Sequence, residues 1–142
     1  MKIEYTDKLV IYINNKYLEN KNIDFNNIES CLKEICESLN ENYKIKLKGL
    51  YNIDIYIDTN YGIVLELEKE DLDIDDYFDQ IDMQIKIHKE KFLLEINNLD
   101  SFYNHKIYIY RNKYYSDYLN IEMGNLIYKT SNILKKAKVI EI

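Results

Sequence analysis

From Tyr43 to Glu68 the apolar residues recur at every second position, and this period limits what the chain can fold into more than any other feature. Ile45 and Leu47 are followed by Ile53, Ile55 and Ile57 with Asp54, Tyr56 and Asp58 between them, then by Ile63, Leu65 and Leu67 with Val64, Glu66 and Glu68 between them. Side chains alternate across a strand, so each run puts its aliphatic residues on one face. The stretch Asp58-Thr59-Asn60-Tyr61-Gly62 separates the last two runs and is rich in turn formers. An antiparallel hairpin over Ile53 to Leu67 is predicted, with Gly49 placed to allow a bend or bulge before it.

The same period returns on both sides of that hairpin. Leu9, Ile11 and Ile13 share one face of a strand over Lys8 to Asn14, with Tyr12 opposite, and Ile3 with Tyr5 opens the sheet before it. Ile81, Met83, Ile85 and Ile87, followed across Lys89-Glu90-Lys91 by Phe92, Leu94 and Ile96, predict a second hairpin. Ile107 and Ile109, alternating with Tyr108 and Tyr110, predict a strand over Lys106 to Arg111. Two stretches carry helical spacing instead. Ile28, Leu32, Ile35, Cys36 and Leu39 recur every 3.6 residues opposite Glu29, Lys33, Glu34, Glu37 and Glu41, and Asn26 with Glu29 reads as a capping box. Leu119, Met123, Leu126, Ile127, Ile133 and Leu134 predict a second helix from about Asp117 to Lys136, with Lys135 and Lys136 at its negative end. Short turns favour antiparallel neighbours, and two helices cover one face only. The expected fold is α+β, a mainly antiparallel sheet built from hairpins with two helices packed on one face. With 142 residues, no internal repeat and no linker, residues 1–142 read as a single domain.

Composition removes several classes of function. Glycine occurs only at Gly49, Gly62 and Gly124, which leaves no phosphate-cradling loop and no dinucleotide fingerprint. No apolar run approaches the ~20 residues that span a bilayer, and the first residues carry no signal-peptide core, so a cytoplasmic location is expected. Cys31 and Cys36 are too few for a disulfide framework and, five apart on a helix, point about 140° away from each other. With no CxxC pair they make no zinc set, and they read as buried or half-buried thiols; no cofactor is expected. Eighteen lysines stand against the single Arg111, a bias that A+T-rich codons produce, which points to a bacterial or phage genome of that kind.

Charge is unevenly placed. Of the net −6, Glu66 to Asp82 supplies nine acids against Lys69 alone, whereas Met83 to Ile142 has ten basic residues against six acidic ones. Such asymmetry steers charged partners and favours head-to-tail contact. Read as a calcium loop, Asp71 to Asp82 has carboxylates at positions 1, 3, 5, 9 and 12. The pattern then fails, because Asp76 stands where the sharp turn demands glycine, Asp82 replaces the bidentate Glu, and strands are expected on both sides. No metal site is expected. Leu72, Ile74, Tyr77, Phe78 and Ile81 are interleaved with the acids, and apolar anchors ringed by charge are what a protein contact needs. The candidate binding residues are therefore Asp73, Asp75, Asp76, Tyr77, Phe78 and Asp79.

Fifteen tyrosines include a crowd at Tyr108, Tyr110, Tyr114, Tyr115 and Tyr118 beside Lys106, Arg111 and Lys113. Rings beside basic groups suit single-stranded nucleic acid, but no RNP-type sequence is present and a tyrosine-lined protein interface is the preferred reading. His88 and His105 fall at expected strand ends without a nucleophile or metal partner in sequence, and read as surface residues. Asp54 with Asp58, and Glu66 with Glu68, share strand faces, as alternation in a half-exposed strand produces without chemistry. The sequence thus points to a small acidic cytoplasmic module acting through contact with another protein, one with a basic surface, or through self-association into a homo-oligomer. Nucleic acid and membrane are not expected partners, and catalysis is not expected. An inhibitor that mimics nucleic-acid charge, encoded by a phage, and a metal-dependent or carboxylate-based hydrolase are the alternatives.

Overall fold

The hairpin expected from the period-two run forms the centre of the first of two sheets. The computed structural model describes residues 2–5, 8–24, 26–45, 47, 49–69, 81–120 and 124–141. The chain divides into two units, Met1–His88 and Lys89–Ile142. In the first, β1 (Lys2–Tyr5), β2 (Leu9–Asn14), β3 (Gly49–Asp58), β4 (Gly62–Lys69) and β5 (Ile81–Lys89) form a sheet in the order β1-β2-β4-β3-β5. Register aligns the aliphatic residues in rows. Ile3 faces Ile11, Ile11 faces Leu65, and Leu65 faces Ile55, so one row crosses four strands.

Helix α2 (Ile28–Tyr43) covers that face with Ile28, Leu32, Ile35 and Leu39, which join Leu9, Ile11, Ile13, Ile53, Ile55, Ile63, Leu65 and Leu67 in one core. Each such side chain contributes roughly 1.5–3 kcal/mol on leaving water, so the rows and the helix stripe stabilise each other. The five apolar helix positions expected from spacing are the five that are buried. Their N-terminal cap differs from expectation. The helix starts at Ile28 after Asn27, whose side chain makes no cap bond; instead Asp24 Oδ1 accepts from the backbone N–H groups of Asn26 and Asn27, and Asn27 Oδ1 accepts from that of Asp24. This local ring of short polar side chains takes the place of the capping box. A short helix α1 (Asn15–Asn20) follows β2 directly, capped by Asn14, whose Oδ1 accepts from Tyr17 N at 2.9 Å.

The second unit holds β6 (Leu93–Ile96), β7 (Lys106–Tyr110), β8 (Lys113–Ser116), β9 (Gly124–Ile127) and β10 (Lys138–Glu141) in the order β10-β7-β8-β6-β9, every described pair antiparallel. Leu94, Ile96, Phe102 and Ile107 pack on one face of this sheet. On the other, Leu93, Tyr108 and Tyr115 meet Ile133 and Leu134 of α3 (Ser131–Lys136). The protein is thus α+β with two mostly antiparallel sheets and helices packed against them, where one sheet was foreseen.

Three stretches depart from the sequence reading. Ile45 and Leu47, whose spacing reads as a strand, precede β3 and lie in no strand themselves. Ile81–Lys89 and Leu93–Ile96 are strands, but they belong to different sheets rather than to one hairpin. Three consecutive residues, Phe92, Leu93 and Leu94, are fully buried, as happens when both faces of a strand are covered, so the alternation read from Phe92, Leu94 and Ile96 saw only half of the pattern. The helix expected from Asp117 to Lys136 exists only as Ser131–Lys136. Gly124 is drawn into a strand opposite Ile96, where a Cβ would lie 2.2 Å from the Glu95 carbonyl oxygen, and the buried Thr130 hydroxyl donates to the Lys91 carbonyl just before the helix begins. Close backbone approach and a satisfied hydroxyl outweigh the apolar spacing here.

Candidate functional site

The face of the first sheet turned away from α2 is not a plain solvent face. Val10, Tyr12, Tyr56 and Val64 are buried on it. Burial, with Tyr12 alongside, pushes the Tyr61 hydroxyl up to about 12. Towards the β4–β3–β5 end the same face becomes polar. Asp54 stands directly across from Glu66, and Asn52 across from Glu68. Cross-strand partners of like charge repel unless other groups hold them, and here each has one. His88 Nε2 lies 2.9 Å from Asp54 Oδ1, the imidazole stacks on Tyr56 at 4.8 Å between centroids, and the Tyr56 hydroxyl donates to Glu66 Oε2 at 3.4 Å. Lys8 approaches Glu68 at 3.7 Å from β2.

Of these groups Asn52, Asp54 and Glu68 line an open groove of about 460 Å³, together with Ile53, Gln84, Ile85 and Lys86. Its volume falls in the range of ligand sites, roughly 300–1,000 Å³. With β3 as its floor, β4 forms one rim and β5 the other. The carboxylates favour cations and hydrogen-bond donors on the β4 side, while Lys86 sets a positive limit on the β5 side. No group of three or more His, Cys, Asp or Glu side chains able to hold a metal ion occurs among the described residues.

The candidate residues Asp73, Asp75, Asp76, Tyr77, Phe78 and Asp79 lie outside the described residues, as does the putting-together of a calcium loop from Asp71 onward. The strands expected on either side are present: β4 ends at Lys69 and β5 starts at Ile81. Connectivity places the groove where the acidic segment leaves and rejoins the sheet, since Glu68 is the penultimate residue of β4 and Gln84 is the fourth of β5. Neither the opposition of Asp54 to Glu66 nor the engagement of His88 is visible from sequence spacing. Equal parity of Asp54, Tyr56, Glu66 and Glu68 was the one available signal.

Both histidines are half-buried at the surface, each in a ring stack that sequence spacing does not show. His105 stacks on Tyr118 at 4.2 Å, and both meet the edge of Phe102 in the second unit. The tyrosine crowd splits by strand parity. Tyr108 and Tyr115 face each other across β7 and β8 in the buried core, where burial raises both phenols above the ordinary value, Asp117 adding to the first and Glu95 to the second. Tyr114 and Tyr118 remain exposed, and Tyr103 is 71 % exposed. The thiols are as expected: Cys31 is half-buried and Cys36 buried, and burial, with Glu37 adding, pushes the Cys36 thiol up to about 11.

Comparison with protein-family models, with curated proteins and with solved structures finds no match to this chain. No helix among the described residues is long and apolar enough to cross a membrane.

Proposed function

We propose that this chain is a small acidic binding module that works in the cytoplasm by contact with a protein carrying a basic surface. The observation that carries the reading is the gathering of Asp54, Glu66 and Glu68 on one sheet face at the end where the segment holding Asp73, Asp75, Asp76 and Asp79 departs. Carboxylates on a sheet whose strand β4 leads in sequence into a run of further carboxylates supply negative charge of the kind that steers a basic partner and fixes its orientation. Tyr77 and Phe78 lie within that run and supply ring area to be desolvated at the contact.

The test is quantitative capture from a lysate of the native host with three proteins: the natural chain, Tyr77→Ala with Phe78→Ala, and the four aspartates changed to Asn. Retention that needs both rings and carboxylates, and falls from ~0.05 M to ~0.5 M salt as the Debye length shrinks, is the expected result. Equal capture by all three proteins would refute the assignment to this segment.

A further inference from the structure

We propose that the groove beside Asp54 and Glu68 receives Arg111 of a second copy of this chain, so that the protein associates head to tail. The inference rests on the binding-module reading and names the partner. Its first support is charge. The unit Met1–His88 holds ten basic against nineteen acidic residues, a net −9, whereas Lys89–Ile142 holds nine against six, a net +3. Each unit of one copy is the electrostatic complement of the other unit in a second.

The second support is the presentation of Arg111, the only arginine in the chain. It sits with Asn112 at the two-residue turn of the β7–β8 hairpin, where Tyr110 pairs with Lys113. Both turn residues have positive φ, 49° and 62°, the geometry that matches strand twist in a tight hairpin. The side chain is exposed, its guanidinium lies 5.2 Å from the centroid of the Tyr110 ring, and no carboxylate among the described residues pairs with it. An arginine raised on a rigid hairpin and steadied by a ring loses little freedom on docking.

The third support is the shape of the receiving site. Asp54 and Glu68 are diagonal neighbours across β3 and β4, so their Cα atoms stand ~7–8 Å apart. That spacing lets one planar guanidinium reach both carboxylates through separate N–H groups, which the point charge of a lysine does less well. Both acceptors keep capacity. Asp54 uses Oδ1 for His88, and the Lys8 pair with Glu68 is long and exposed, worth little and readily exchanged. Lys86, on the opposite rim, holds the incoming cation to the β4 side. The contact joins unlike surfaces, so repeated copies form a ring or an open filament.

Sedimentation velocity on the full chain tests this. The natural protein is expected to show a mass above 17.2 kDa that rises with concentration and falls back at high salt. Arg111→Gln and Glu68→Gln should each weaken association ~10-fold or more, and Lys86→Gln should strengthen it. Mixing Arg111→Gln protein with Glu68→Gln protein should yield a one-to-one dimer and nothing larger, since each retains the surface the other lacks. Thermal melts establish that each variant is folded, and Asp54→Asn serves as a second groove variant. A natural chain that stays at the monomer mass across concentration and salt overturns the proposal, as does Arg111→Gln protein that associates like the natural one. If host partners are still captured through Tyr77 and Phe78 in that case, the head-to-tail contact alone is wrong; intact association with no ring-dependent capture refutes the segment instead.

Discussion

Replacing Gly62 by alanine puts the most direct demand on the backbone of the first sheet. A Cβ at Gly62 would stand 2.1 Å from the carbonyl oxygen of Ile13 and 2.9 Å from Cα of Asn14, and both obstacles are backbone. Contacts under 3.0 Å are essentially never found, so β2 must retreat from β4 by about 1 Å where Asn14 faces Gly62. That displacement weakens one or two terminal ladder bonds at ~1 kcal/mol each. The φ of +143° adds ~1–3 kcal/mol once a side chain is present. A loss of ~2–5 kcal/mol follows for a unit whose strands β2 and β4 are central to its core. Cys36, on the buried face of α2, reports the opening. In a Cys31→Ser background, Gly62→Ala should raise its rate of thiol modification about 30-fold or more, because 1.4 kcal/mol is a factor of about ten in an equilibrium constant. Thr59→Ala, at an exposed turn position whose carbonyl still accepts from Asn15 Nδ2, serves as the control. A Gly62→Ala protein as protected as the control would refute the close approach of these strands.

Three further outcomes are expected. Leu32→Ala removes a fully buried side chain between α2 and the sheet and should cost ~2–5 kcal/mol in urea titration, followed by tyrosine fluorescence because the chain lacks tryptophan. Changing Arg111 and Asn112 to Asn and Gly eases the positive-φ turn and should raise the melting stability of the second unit by ~0.5–1 kcal/mol while weakening the proposed head-to-tail association as Arg111→Gln does. The Cys36 thiol, at about 11 in the fold against 9.0 unfolded, favours the native state while protonated. Its contribution is complete below pH 9 and lost as pH rises to about 11, so Cys36→Val should flatten the stability profile across that window.

What could be read from the chain was local periodicity and its burial consequence. Strands β1 to β5, the β3–β4 hairpin, the five buried positions of α2 and the strand over Lys106–Tyr110 follow from side chains that alternate every two residues or return every 3.6. Strand partnership did not follow. A run such as Ile81 to Ile87 has the same period whichever sheet accepts it; backbone pairing assigns β5 to β3, and His88 against Asp54 and Tyr56, with Ile85 packed on the first core, accompanies it. The truncated C-terminal helix has the same cause, since Gly124 is held in a strand by its approach to the Glu95 backbone rather than by its neighbours in sequence. The acidic character of the chain was likewise evident from composition. Bringing Asp54 face to face with Glu66, and setting Glu68 on the rim of a groove, required the register of two strands, and register is fixed by pairing across space.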